Sequence, residues 1–188
     1  LMLEIDLALF QALNADAATL PVVVTVARWV SQQLPTAIGG LLLGSLVLGN
    51  AAQRRPLALA LASMALAWLG VQLLRLAVPA PRLAQLGIGV QWIEHAARAG
   101  FPSMHVAGAA ALAASLALRP VHGLTWLAAV VTAAMVWSRV CLGVHFPSDV
   151  LAGLLTGGLA AAAIHALAAR APRWQATLLH KSPQGSAH

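Results

Sequence analysis

Long apolar runs alternate with short polar breaks along this chain, and the breaks cut it into pieces of helical length. Leu3 to Leu13 sets Leu3, Leu7, Phe10 and Leu13 on one helical face and is too short to cross a bilayer, which predicts a helix lying in the membrane interface. Asn14 to Ala17 breaks it. Asp16 is a candidate cap for the next piece, Leu20 to Gln33, which carries Pro21 near its first turn and is interrupted by Arg28. Pro35 to Asn50 reads as a separate apolar span. After Gln53, Arg54 and Arg55, Pro56 opens Leu57 to Leu74, a transmembrane helix ended by Arg75. Ser103 to Leu118, Leu124 to Trp137 and Val150 to Ala169 complete the set. The expected fold is all-α: a polytopic bundle of about six transmembrane helices with an N-terminal interfacial helix. It forms one membrane-embedded domain over 1–170, followed by a polar cytoplasmic tail over 171–188.

Between Arg75 and Ser103 lies a long connection with three prolines, three glycines and two further arginines. Connections of this length in a compact bundle are usually functional. Its later part, GVQWIEHAARAG, is a candidate short interfacial helix with Trp92 at headgroup level.

Composition agrees with a membrane protein. The 188 residues are 60% hydrophobic and 9% charged, against about 25% charged in soluble domains. No alternating ten-residue strand pattern of an outer-membrane barrel is present. The net charge of +6 does not indicate nucleic-acid binding, because the basic residues are dispersed around apolar spans. Cys141 is the single cysteine, which excludes an intrachain disulfide and reads as a small packing residue. Glu4 and Asp6, with no basic run, argue against a cleavable signal peptide.

Charge also orients the chain. If the spans alternate, Arg54, Arg55, Arg119, Arg170, Arg173 and Lys181 share one side, which should be cytoplasmic. Arg75, Arg82, Arg98 and Arg139 fall on the other, against the usual bias. An anion to bind would explain them.

Three clusters meet on that second face. Arg75 is followed after six residues by Arg82. Pro102-Ser103-Met104-His105 opens a span, so the positive end of a helix dipole and free backbone amides point there. Ser138-Arg139 precedes His145 by five residues, and Asp149 follows after three more, sharing a helical face with His145. A carboxylate beside an imidazole fixes its tautomer and supports its positive charge. Read alone, this last run is equally a loop with scattered polar residues. Glu94 and His95 are candidates for substrate contact or for a solvated interfacial face, and Ser138 is a further candidate contact. Arg98 reads as solvated or near headgroups. His122, His165, His180 and His188, and the lone Gly87-Ile88-Gly89, are assigned no chemistry.

R-x6-R, PSMH and SR-x5-H-x3-D together resemble the three-part signature of the type-2 phosphatidic acid phosphatase and vanadium haloperoxidase superfamily: K-x6-RP, PSGH and SR-x5-H-x3-D. The third part matches throughout. LEIDLALFQALNA, the QRR turn, EHAARAGFPS and WSRVCLGVHFPSDVLAGLL extend the likeness, from about Leu3 to Leu167, to the bacitracin-resistance type of bacterial undecaprenyl-diphosphatase. Arg75 stands for the family lysine, Leu83 for the proline after Arg82, and Met104 for a glycine whose backbone freedom a methionine lacks.

The resemblance implies a metal-independent, cofactor-free lipid phosphatase. His145 is the implied nucleophile, Asp149 its partner, and His105 the acid and then base; Arg75, Arg82, Arg139, Ser103 and the Met104 amide hold phosphoryl oxygens. Glu94 and Asp149 are the only carboxylates after Asp16, too few for a two-metal site. The implied substrate is a polyprenyl diphosphate, undecaprenyl diphosphate, cleaved at the periplasmic face of the bacterial inner membrane to recycle a cell-wall carrier lipid. Other readings keep the chemistry but change the lipid (phosphatidylglycerophosphate, phosphatidic acid, a lipid A phosphate) or pass the phosphoryl group to another lipid. A non-catalytic lipid-phosphate binder is a different class, opposed by the intact His105, His145 and Asp149, and a haloperoxidase is opposed by the membrane-embedded composition. The expected partners are the substrate and membrane lipids, with no nucleic acid; the sequence sets no oligomeric state.

Overall fold

Pro35 does not divide its run. In the computed structural model, which describes residues 2–49, 51–78, 87–93, 100–118 and 122–180, Pro21–Leu48 is one continuous helix with Pro35 inside it. The expectation of two spans, Leu20 to Gln33 and Pro35 to Asn50, is therefore corrected to one. An interior proline removes the hydrogen bond to the carbonyl four residues back, here Ser31. Membrane helices tolerate this because neighbouring polar groups serve the freed backbone. Ser31 is buried, and its hydroxyl accepts a hydrogen bond from Arg139 at 2.6 Å.

Six helices form among the described residues, with no strand: α1 (Met2–Leu13), α2 (Pro21–Leu48), α3 (Ala51–Ala77), α4 (Met104–Ala117), α5 (His122–Cys141) and α6 (Pro147–His180). Helices α2, α3, α5 and α6 are long and apolar enough to cross a membrane, and the chain is a multi-pass membrane protein. Helix α4, at 14 residues, rises only about 21 Å. It survives at that length because it lies inside the bundle, packed on α3, α5 and α6. α6 continues to His180, beyond the end expected at Ala169.

The tightest packing joins α4 to α6. Gly157 faces the Ala107 carbonyl and Gly153 the Ser103 carbonyl so closely that a Cβ at either would collide with backbone. Ala107 and Ala111 are buried in the same seam. Small residues let the two backbones approach, the usual route to stable packing where lipid removes the hydrophobic drive between helices.

Merging the early spans decides where α1 sits. Five helices follow α1, so α2 starts at the end of the bundle where α3 and α5 finish and α4 and α6 begin. α1 lies across that end: Phe10 is fully buried and meets Phe146 edge-on at 5.6 Å between centroids. Asp6 accepts from the Ser148 backbone N–H at 2.8 Å and from its hydroxyl. Asp16 does not cap α2. Its carboxylate closes the preceding turn, accepting from the Ala18 N–H at 3.0 Å and the Thr19 hydroxyl at 2.9 Å, and these bonds hold its pKa below the usual carboxylate range. The cap position is Leu20, with Pro21 in the first turn.

Candidate active site

The turn after α5 aims the first site residue. Gly143 (φ 68°) follows the helix, and its N–H bonds the Val140 carbonyl at 3.0 Å while the Val144 N–H bonds the Arg139 carbonyl at 3.2 Å. This is the paired closure that left-handed glycine permits at a helix C-terminus. A side chain at Gly143 would also strike the Val90 carbonyl. The chain emerges at His145, then re-enters helix at Pro147.

Asp149 starts α6 and serves two partners. Its Oδ2 accepts from the Phe146 N–H at 3.0 Å, capping the helix from its first turn, and lies 3.3 Å from His145 Nδ1. His145 is 1% exposed, so the pair is screened from water and its orientation is set by packing. The Asp149 carbonyl accepts from the Ser103 N–H at 3.0 Å, tying the start of α4 to the start of α6.

Ser103 precedes α4, fully buried, and its hydroxyl has no hydrogen-bond partner among the described residues. Behind it the first-turn amides of Met104, His105 and Val106 have no acceptor within the helix, as at any helix start. Met104 lies in regular helix. No non-glycine residue among those described has positive φ, so replacing the family glycine with methionine strains nothing here. His105 is half-buried and lies within electrostatic reach of Arg139, His145 and Arg75.

Both described arginines of the expected cluster sit in the last turns of helices, where the dipole favours cations. Arg139 is 1% exposed and anchored on Ser31. Arg75 Nη2 donates to the Pro102 carbonyl at 3.2 Å, beside PSMH. The fold thus brings together His105, His145, Asp149, Arg75, Arg139 and Ser103. Ser138 is also near but turned inward: it is fully buried, and its hydroxyl donates to the Met135 carbonyl at 2.9 Å. Arg82, Glu94, His95 and Arg98 lie outside the described residues.

Sequence reasoning missed the groups that hold the turn before His145. Asn14 Nδ2 donates to the Cys141 and Val90 carbonyls, each at 3.0 Å, and Oδ1 accepts from the Val90 N–H at 2.8 Å. The Trp92 N–H donates to the Leu142 carbonyl at 3.1 Å, and its indole N–H to the Ala15 carbonyl at 2.8 Å. Arg28, unassigned from sequence, donates twice to the Trp92 carbonyl and stands over its ring. Residues 87–93 are an irregular strap, turned by Gly87 and Gly89 with left-handed backbone, so the first residues of the interfacial helix expected over Gly89 to Gly100 are not helical; its remainder, 94–99, lies outside the described residues. An Asn after a helix reads as a local breaker; nothing in its spacing points to residues 90 and 141.

Comparison with known proteins gives the family and the fold. The family described as PAP2 superfamily matches residues 51–173. The Escherichia coli (strain K12) protein named "Putative undecaprenyl-diphosphatase YbjG" is 35% identical over 164 residues, spanning 83% of this chain and 79% of that protein. Two crystal structures share the fold. A transmembrane PAP2 type phosphatidylglycerolphosphate phosphatase from Bacillus subtilis superposes with TM-score 0.68 at 18% identity, over 90% of this chain and 87% of its own. Aquifex aeolicus LpxE superposes with TM-score 0.68 at 23% identity, over 84% and 93%. The shared bundle, the sequence match over most of the chain and the described residues of the three motifs meeting at one end lead to one assignment: this chain belongs to the PAP2 superfamily.

Proposed function

We propose that the protein is a membrane lipid phosphatase that hydrolyses undecaprenyl diphosphate to undecaprenyl phosphate and inorganic phosphate, working at the periplasmic face of a bacterial inner membrane. The observation that carries the reading is the buried His145–Asp149 pair beside His105, Arg139 and Arg75. The named relative supports the choice of lipid.

In this reading Asp149 engages Nδ1, which directs the chemistry to Nε2 of His145. That nitrogen attacks the terminal phosphorus while the P–O bond to the undecaprenyl phosphate breaks, giving a phosphohistidine. His105 donates its proton to the leaving oxygen. In the second step it takes a proton from water as the water attacks phosphorus, and phosphate leaves with His145 restored. Arg139, held by Ser31, and Arg75, held by the Pro102 carbonyl, face the phosphoryl oxygens as fixed cations. The Ser103 hydroxyl and the α4 amides complete the cradle. A buried hydroxyl left unpaired costs about 1–3 kcal/mol, which a phosphoryl oxygen would recover.

Phosphate release from undecaprenyl diphosphate by purified protein in detergent is the test, run with EDTA and alongside phosphatidic acid and phosphatidylglycerophosphate. Turnover that persists under chelation and disappears in His145→Ala supports the reading. Activity lost to EDTA and restored by a divalent ion, or retained in His145→Ala, overturns the mechanism; activity confined to the other lipids overturns the substrate.

A further inference from the structure

Asp6, Phe10 and Asn14 are spaced by four along α1 and its end, and all three side chains meet the segment that carries His145. Asn14 meets it before the histidine, at the Cys141 carbonyl. Phe10 and Asp6 meet it afterwards, at Phe146 and Ser148. The adjacent row on α1, Ile5, Leu9 and Leu13, is exposed. The link from His145 to Asp149 is Phe146-Pro147-Ser148 alone, and it includes the start of α6. The first N–H groups of a helix find no acceptor within it. Asp149 Oδ2 accepts from the Phe146 N–H at 3.0 Å, and Pro147 has no N–H to satisfy. The Ser148 N–H donates instead to Asp6 at 2.8 Å, and the Ser148 hydroxyl donates to the same carboxylate. The start of α6 is thus closed by a carboxylate from α1, 142 residues away in the chain. The helix dipole favours a negative charge at that end.

We infer that Asp6 is a positioning residue: it fixes Ser148 and so holds the short link that sets Asp149 against His145. This rests on the phosphatase reading above and adds to it a residue outside the three motifs. Two observations carry it. Ser148 is the residue next to Asp149, so a displacement of one moves the other. The Asp149 Oδ2 to His145 Nδ1 distance, 3.3 Å, is at the long end for a hydrogen bond, and a small further displacement breaks it. Ser148 is exposed, so water replaces the carboxylate when Asp6 is removed, and the fold survives the loss.

Steady-state kinetics test this in detergent with Asp6→Ala, Asp6→Asn, Ser148→Ala and the double variant Asp6→Ala/Ser148→Ala. The substrate is whichever of undecaprenyl diphosphate, phosphatidic acid and phosphatidylglycerophosphate the unmodified protein hydrolyses. In Asp6→Ala kcat should fall about tenfold, the worth of roughly one charge-assisted bond, with KM and Tm little changed. Asp6→Asn should recover most of the loss, because its Oδ1 still accepts from the Ser148 N–H and its amide can donate to the hydroxyl. The double variant should be no slower than Asp6→Ala, since both changes act on one contact. A normal kcat in Asp6→Ala overturns the inference. So does an Asn variant as slow as the Ala variant, a double variant in which the losses multiply, or a loss matched by a lower folded fraction. A second readout needs no turnover. The His145 Nδ1 proton, identified by its absence in His145→Ala, should give an NMR line in the unmodified protein and in Asp6→Asn. In Asp6→Ala that line should broaden as the proton exchanges faster with water; a line equally sharp there overturns the inference. No turnover of any of the three lipids sinks the phosphatase reading instead, and the NMR line still decides whether Asp6 holds the pair.

Discussion

At the residue scale His145, the proposed nucleophile, is positioned by side chains outside the candidate phosphate cradle. His145 follows a glycine-closed turn, and Asn14 holds that turn from outside through the Cys141 carbonyl. Two of its three hydrogen bonds need an amide N–H. Asn14→Asp keeps the shape but removes both donors and sets a negative charge against two carbonyl oxygens. The two lost bonds are worth about 1 kcal/mol each, so kcat should fall about tenfold or more, with KM little changed. Steady-state kinetics on Asn14→Asp and Asn14→Ala check this; a wild-type kcat in the Asp variant would show that the clamp does not govern the turn. The His145–Asp149 pairing was readable in the sequence, because the two are local partners four residues apart. Asn14 was not, because its partners lie 76 and 127 residues away.

At the element scale, the site depends on how closely α4 approaches α6. The Ser103 N–H reaches the Asp149 carbonyl only because Gly153 and Gly157 let the backbones nearly touch. Gly157→Leu forces a side chain against the Ala107 carbonyl, and overpacking of this kind costs about 1–3 kcal/mol. The expected result is a lower Tm in detergent together with lost turnover. An unaltered Tm with normal activity would mean that the helices tolerate separation. In the sequence these glycines are two of many small residues in an Ala-rich run, and helical spacing alone does not say which neighbour they meet. Pro35 misled for a related reason: its meaning as a helix breaker holds in water, but a bundle interior can serve the freed carbonyl.

Across the whole molecule, one continuous α2 places α1 at the end of the bundle that holds the candidate site. Asp6 on Ser148 and Phe10 on Phe146 are its attachments there. Gln11 and Arg55 are exposed and belong to opposite ends of the bundle. In a background with Cys141 replaced, a membrane-impermeant thiol reagent applied to spheroplasts should label Gln11→Cys directly and Arg55→Cys only after permeabilisation. The reverse pattern would invert the orientation drawn from Arg54, Arg55 and Arg170.

The sequence by itself determined the all-helical membrane class and the three motifs, because apolar periodicity, charge bias and i, i+4 pairing are local properties of a chain. Tertiary structure decided the rest: that two runs form one helix, that α1 and the 87–93 strap brace the turn before His145, and that three distant methionines share a cavity with His105. Those outcomes depend on contacts between residues far apart in the chain. Such contacts exist only once the helices have packed.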